Sequence, residues 1–259
     1  MKRLMLAVAL LVPAAALAQG PLDGTWKVDV SSVKFPEKPD QYVLANGRYT
    51  CSTCVPAVDV KADGTDQKVT GSKYRDTVAV TMVDDRTVRF TSKKDGKVVS
   101  EGTSTLSADG KTLTEEFTSY PPAGEPVKGT MSSERVAAGP AGSHALSGSW
   151  KTTRAADFSD SGLTFTLKST ADGLMMTSPT GESYDAKFDG KDYPIKGDRG
   201  GSTVALKKID ERTVEETIKR DGKVVGVARM SVAQDGRTMN AHYDNKERGT
   251  TMSYAAKKQ

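Results

Sequence analysis

Apolar and polar residues alternate along most of the chain with a period of two, the spacing that puts every second side chain on the same face of a β-strand. Leu163, Phe165 and Leu167 alternate with Thr164 and Thr166, and Tyr184, Ala186 and Phe188 with Asp185 and Lys187. Val214 and Ile218 share one face, with Glu215, Thr217 and Lys219 on the other. Met239, Ala241 and Tyr243 alternate with Thr238, Asn240 and His242, and Met252, Tyr254 and Ala256 close the series. No segment carries a convincing apolar stripe of period 3.6. Asp-Gly pairs punctuate the alternation: Asp63-Gly64, Asp95-Gly96 and Asp109-Gly110, then Asp172-Gly173, Asp189-Gly190, Asp221-Gly222 and Asp235-Gly236. Asp-Gly tolerates positive φ at both central positions of a two-residue hairpin. The pattern therefore predicts an antiparallel meander.

The pattern also occurs twice. Leu22-Asp-Gly-Thr-Trp26-Lys matches Leu146-Ser-Gly-Ser-Trp150-Lys, and TVAVTMVDDRTVRFTSKKDGKVV from Thr77 matches TVALKKIDERTVEETIKRDGKVV from Thr203. A single offset aligns Asp63–Leu113 with Asp189–Met239 at roughly 20 identities in about 50 positions, far above chance. A period of about 125 residues suits a whole domain per copy. The boundaries read from the sequence are residues 1–18 for a leader, 19–134 for the first barrel, 135–145 for a Gly/Ala/Pro linker and 146–259 for the second barrel. About eight to ten strands per copy suffice to curl a sheet around its apolar face and close it. The expected fold class is all-β, two tandem antiparallel meander barrels.

Each copy opens on a Gly-x-Trp, Gly24-Thr25-Trp26 and Gly148-Ser149-Trp150. With the meander that follows, this resembles the lipocalin and fatty-acid-binding superfamily. Over the mature chain it is similar to uncharacterised secreted bacterial proteins with tandem lipocalin-like (calycin-type) repeats. The resemblance implies that each Trp covers a barrel end and stacks against a basic residue of the last strand. Arg135 stands at that place in copy one. Copy two departs from the motif, with Lys257 nearest. No known activity comes with the resemblance.

Composition adds the compartment and removes some functions. Lys2 and Arg3, an apolar run from Leu4 to Ala16 and the small-x-small end Ala16-Leu17-Ala18 have the form of a cleavable signal peptide. The run is short of the ~20 residues that span a bilayer, so no integral membrane span is expected. The mature protein is expected in the bacterial periplasm or outside the cell, where Cys51 and Cys54 would close a local disulfide. The chain has 37 basic and 33 acidic residues, a net charge of +4, which does not drive binding to nucleic acid. Only two histidines are present, His144 and His242, and no nucleophile elbow, P-loop or metal-ligand spacing occurs. The expectation is no enzyme, no metal and no cofactor.

The strand after the second-copy turn Arg220-Asp221-Gly222-Lys223 carries Val224, Gly226, Ala228, Met230 and Val232 on one face; copy one has Val98, Ser100, Gly102, Ser104 and Leu106 there. Small residues facing a barrel interior leave room for a ligand or water. Glycine in a strand equally marks a bend. Met175, Met176, Met230, Met239 and Met252 suit a core or a pocket alike. The loop Phe35-Pro36-Glu37-Lys38-Pro39 stands where a lid would sit over a barrel mouth. Together these features suggest a non-enzymatic binding protein for a small apolar or amphipathic, lipophilic ligand. The alternative is a structural or interaction module with filled barrels.

Overall fold

The computed structural model describes residues 20–259; the leader expected at 1–18 lies outside them. The first half forms β1 (Gly24–Lys34), β2 (Asp40–Ala45), β3 (Arg48–Cys51), β4 (Val58–Lys61), β5 (Gln67–Lys68), β6 (Thr77–Asp84), β7 (Thr87–Lys94), β8 (Lys97–Leu106), β9 (Thr112–Ser119) and β10 (Val127–Ala138). The second forms β11 (Gly148–Ala156), β12 (Thr164–Ser169), β13 (Gly173–Thr177), β14 (Ser183–Lys187), β15 (Tyr193–Pro194), β16 (Thr203–Lys208), β17 (Thr213–Arg220), β18 (Lys223–Val232), β19 (Thr238–Asn245) and β20 (Thr250–Lys258). The described residues include no α-helix, only one 3-10 turn at Asp160–Gly162. The protein is all-β, with two nearly closed ten-stranded antiparallel barrels.

The sheets do not follow the repeat. One runs β4-β3-β2-β11-β10-β9-β8-β7-β6-β5, the other β14-β13-β12-β1-β20-β19-β18-β17-β16-β15. Each copy's first strand has crossed into the other copy's sheet. Barrel one is the continuous segment β2 to β11. Barrel two is β12 to β20, with β1 inserted between its first and last strands, Trp26 opposite Phe165 on one side and Lys258 on the other. The boundaries at 134 and 146 therefore need correction. Arg135 and Ala138 belong to β10, and the stretch expected as a linker holds the hairpin loop that turns β10 back onto β11. The loop expected as a lid, Phe35–Pro39, instead carries the chain from barrel two to barrel one, where Glu37 pairs with Lys151.

The cores are exchanged in the same way. Leu22 and Trp26 pack with Leu167, Leu174, Leu206 and Met239 in barrel two. Leu146 and Trp150 pack with Leu44, Val80, Val88 and Leu113 in barrel one. Both indoles are fully buried, and their Nε1–H groups donate in matched fashion to Leu22 O and Leu146 O, each at 2.9 Å. Burying a Trp requires such a partner for its polar edge.

The glycine of each Gly-x-Trp has a steric cause. Gly24 (φ 133°) and Gly148 (φ 149°) occupy backbone that side chains rarely adopt. A Cβ on Gly24 would lie 2.4 Å from Lys258 Cε, and one on Gly148 would lie 2.8 Å from Arg135 Nη1. Those two cations are the ones over the indoles: Arg135 at 4.1 Å from the Trp150 ring and Lys258 at 5.3 Å from that of Trp26. Arg135 thus caps the second copy's tryptophan, and the basic residue of copy two is Lys258 rather than Lys257. Arg135 also donates to the carbonyls of Gly110, Ala145 and Ser147 at 2.6–2.7 Å.

Candidate functional site

The two barrels meet around a cavity of about 630 Å³. Barrel two supplies an apolar patch of Phe165, Leu167, Met176, Met230 and Tyr254 together with the charged Glu182, Asp198, Arg199 and Glu216, and β1 adds Val28. Barrel one faces it with Arg75, Ser92, Val99, Ser100 and Tyr120. A second cavity of about 280 Å³ lies inside barrel one, and Arg75, Ser92 and Ser100 line both. The two spaces adjoin at those three residues.

The junction is held by named contacts. Tyr74 donates to Asp198 Oδ1 at 3.1 Å and accepts from Arg220 Nη2 at 2.7 Å. The Arg220 guanidinium lies 4.9 Å from the Tyr74 ring centre and pairs with Glu247. Arg199 Nη2 donates to Tyr120 O at 3.0 Å, and Phe117 meets Phe158 edge-on at 5.6 Å.

The interiors differ in filling. Barrel one holds Tyr42, Tyr49 and Phe90 as a contiguous aromatic group, with ring centres 6.3 and 5.2 Å apart. Burial pushes both tyrosine hydroxyls well above the ordinary phenol range. Glu115 lines the same space. Burial, with Asp40 adding to it, raises its carboxyl above the usual range. In barrel two, Tyr184 donates a hydrogen bond to Glu216, and burial raises that carboxyl despite the bond. Burial raises Tyr254, on the chamber wall, to about 12.

The stripes read from the sequence divide. Ser100, Gly102 and Ser104 line the smaller cavity, Leu106 packs in the core of barrel one, and Val98 is exposed. Met230 lines the chamber and Val232 packs in the core of barrel two, while Val224 is exposed. Val98 and Val224 leave the face for one reason. A bulge in each strand, where the pairing shifts at Ser92/Lys93 and at Ile218/Lys219, turns Val99 and Val225 inward instead. Gly226 makes room for Tyr243, whose hydroxyl would lie 2.3 Å from a Cβ there, so this part of the stripe is filled; Ala228, paired with Tyr243, lies off the chamber wall. The sequence pattern points to neither Arg75 nor Glu216, and it places Tyr254 on an apolar face without assigning it to a pocket. Arg75 precedes β6 in a loop without periodicity, and Glu216 stands in phase with Val214 and Ile218, where a single acid interrupts the apolar series without marking a cavity.

Cys51 and Cys54 form a disulfide, with Cα atoms 5.4 Å apart, and Cys54 reaches the smaller cavity. Among the described residues no cluster of three His, Cys, Asp or Glu side chains is placed to hold a metal ion. No helix among them is long and apolar enough to cross a membrane. Comparison with protein-family models, with curated proteins and with solved structures finds no match.

Proposed function

We propose that this protein is a secreted or periplasmic, non-enzymatic binding protein that takes a small apolar or amphipathic ligand into the chamber between its two lipocalin-like barrels. The observation that carries this reading is the chamber itself. Its volume of about 630 Å³ suits a small molecule, and its wall joins an apolar patch of Phe165, Leu167, Met176, Met230 and Tyr254 to polar and charged side chains. The signal-like leader and the disulfide support the compartment. A lipophilic fluorescent probe titrated into the purified protein tests the reading. Enhanced emission that a non-fluorescent lipid competes away supports it; probes of several chain lengths that all fail to enter would overturn it. The second reading, an interaction module, is favoured by the aromatic filling of barrel one, and that negative result would leave it standing.

A further inference from the structure

We infer that this protein associates with further copies of itself head to tail, the tip of the β6–β7 hairpin of one molecule seating in a groove between the two barrels of the next. Among the described residues eight large apolar side chains are exposed, and five of them fall in two places. Val55, Tyr74 and Val224 line a groove of about 340 Å³, formed by the loops before β4 and β6 on barrel one and by the hairpins β17–β18 and β19–β20 on barrel two. Met82 (44% exposed) and Val83 (49%) stand side by side at the hairpin tip. The pairing of β6 with β7 shifts between Met82 and Asp84, and this bulge turns both side chains outward. Copy two has a lysine, Lys208, in the place of Met82, and its strand pairs on to that residue without a shift. Single exposed apolar residues need no partner, but a groove holding three and a tip holding two mark an interaction surface.

The charges of the two places are complementary. Lys73, Arg220, Lys223 and Lys246 line the groove against Asp221 and Glu247. Lys73 pairs with Asp221, Arg220 with Glu247 and Lys246 with Asp244, which leaves Lys223 as the groove cation without an ion pair among the described residues. The tip carries Asp84 and Asp85 against Arg86. Asp84 accepts from the Arg86 amide at 2.8 Å, whereas Asp85 has no ion pair among the described residues. The matching tip of barrel two, residues 207–212, sets Lys207, Lys208 and Arg212 against Asp210 and Glu211 and does not suit a basic groove. Tip and groove lie at opposite ends of barrel one. From Thr77, just after Tyr74, β6 runs eight residues to Asp84, a length of about 26 Å. A tip therefore cannot reach the groove of its own molecule, and each copy offers one of each. Such a heterologous contact grows into an open chain unless its rotation closes a ring.

Sedimentation velocity of the purified protein from about 10 μM to about 1 mM tests the inference. The expected result is a weight-average sedimentation coefficient that keeps rising past the dimer value and falls back at high salt. Two variants separate the surfaces: Met82→Ser/Val83→Ser keeps the groove, and Val55→Ser/Val224→Ser keeps the tip. All four side chains are exposed, so neither variant empties a core. Each alone should associate about tenfold or more less tightly, the worth of one buried aliphatic side chain, and an equal mixture of the two should form dimers that do not grow. Asp85→Lys and Lys223→Glu should each weaken association, and Asp85→Lys/Lys223→Glu together should recover it. A protein that stays monomeric throughout would overturn the inference, whatever else the groove takes. An unmodified chain that stops at a dimer, or a mixture that grows as the unmodified chain does, would overturn the head-to-tail contact. A double charge variant no better than the single ones would overturn the pairing of Asp85 with Lys223.

Discussion

The two barrels descend from one sequence unit and have the same strand order, yet they are assembled differently. Barrel one is built from a single stretch, β2 to β11, whereas barrel two closes only when β1, from the far end of the chain, slides between β12 and β20. Their interiors have diverged as well. Barrel one is plugged by three aromatic rings and opens through serines; barrel two keeps an apolar patch beside the shared chamber. Duplication supplied two equivalent first strands, and trading them ties the barrels together through the crossings between β1 and β2 and between β11 and β12. The shared chamber sits between the barrels that this exchange joins.

The sharpest way to break the comparison is through the tryptophans. Trp26→Ala and Trp150→Ala each remove a fully buried indole and should cost about 3–5 kcal/mol. Hydrogen exchange should place the damage opposite to chain position. Trp26→Ala should lower protection mainly in residues 164–258, and Trp150→Ala mainly in 40–138. The reverse assignment would refute the exchange.

The caps should differ by less. Arg135→Ala removes a stacked cation that also donates to three carbonyls and should cost about 2–3 kcal/mol. Lys258→Ala removes a more distant cation over Trp26 and should cost about 0.5–1 kcal/mol. Chemical denaturation of the two variants checks the order.

The smallest effect is the pH slope that Glu216 contributes in barrel two. The folded chain keeps the Glu216 proton to higher pH than the unfolded chain, whose carboxyl titrates near 4.5. The contribution of this group to stability is therefore greatest below that value, falls as pH climbs toward the raised value, and stays low above it. Glu216→Gln, which keeps an acceptor for Tyr184, should flatten this part of the stability profile and stabilise the protein relative to the parent at neutral pH. Thermal melts of both proteins across pH 4–8 would show it, and parallel profiles would count against a buried acid there.

The alternation and the turns made the β-meander legible, because burial of one strand face and the backbone needs of Asp-Gly act locally. Asp95-Gly96 and Asp221-Gly222 do take positive φ at both positions, as an Asp-Gly hairpin requires; Asn46-Gly47 does the same and went unnoticed. The exchange could not be read, since β1 and β11 carry nearly the same motif and either fits either barrel. Local preference is blind to which of two similar strands fills a slot. The bulges hid Val99 and Val225 for a related reason, because one extra residue reverses the face of everything beyond it. Arg75 is legible only in three dimensions, where it lines both cavities.

The most direct test of the exchange uses a paired-cysteine variant. Thr25 and Thr166 face each other across β1 and β12, their hydroxyls 2.8 Å apart, whereas an unexchanged β1 would set Thr25 against Gln41, as Ser149 now stands. Peptide mapping of oxidised Thr25→Cys/Thr166→Cys should find the new cross-link within a monomer, and Thr25→Cys/Gln41→Cys should yield none. A cross-link in the second variant and not in the first would contradict the account.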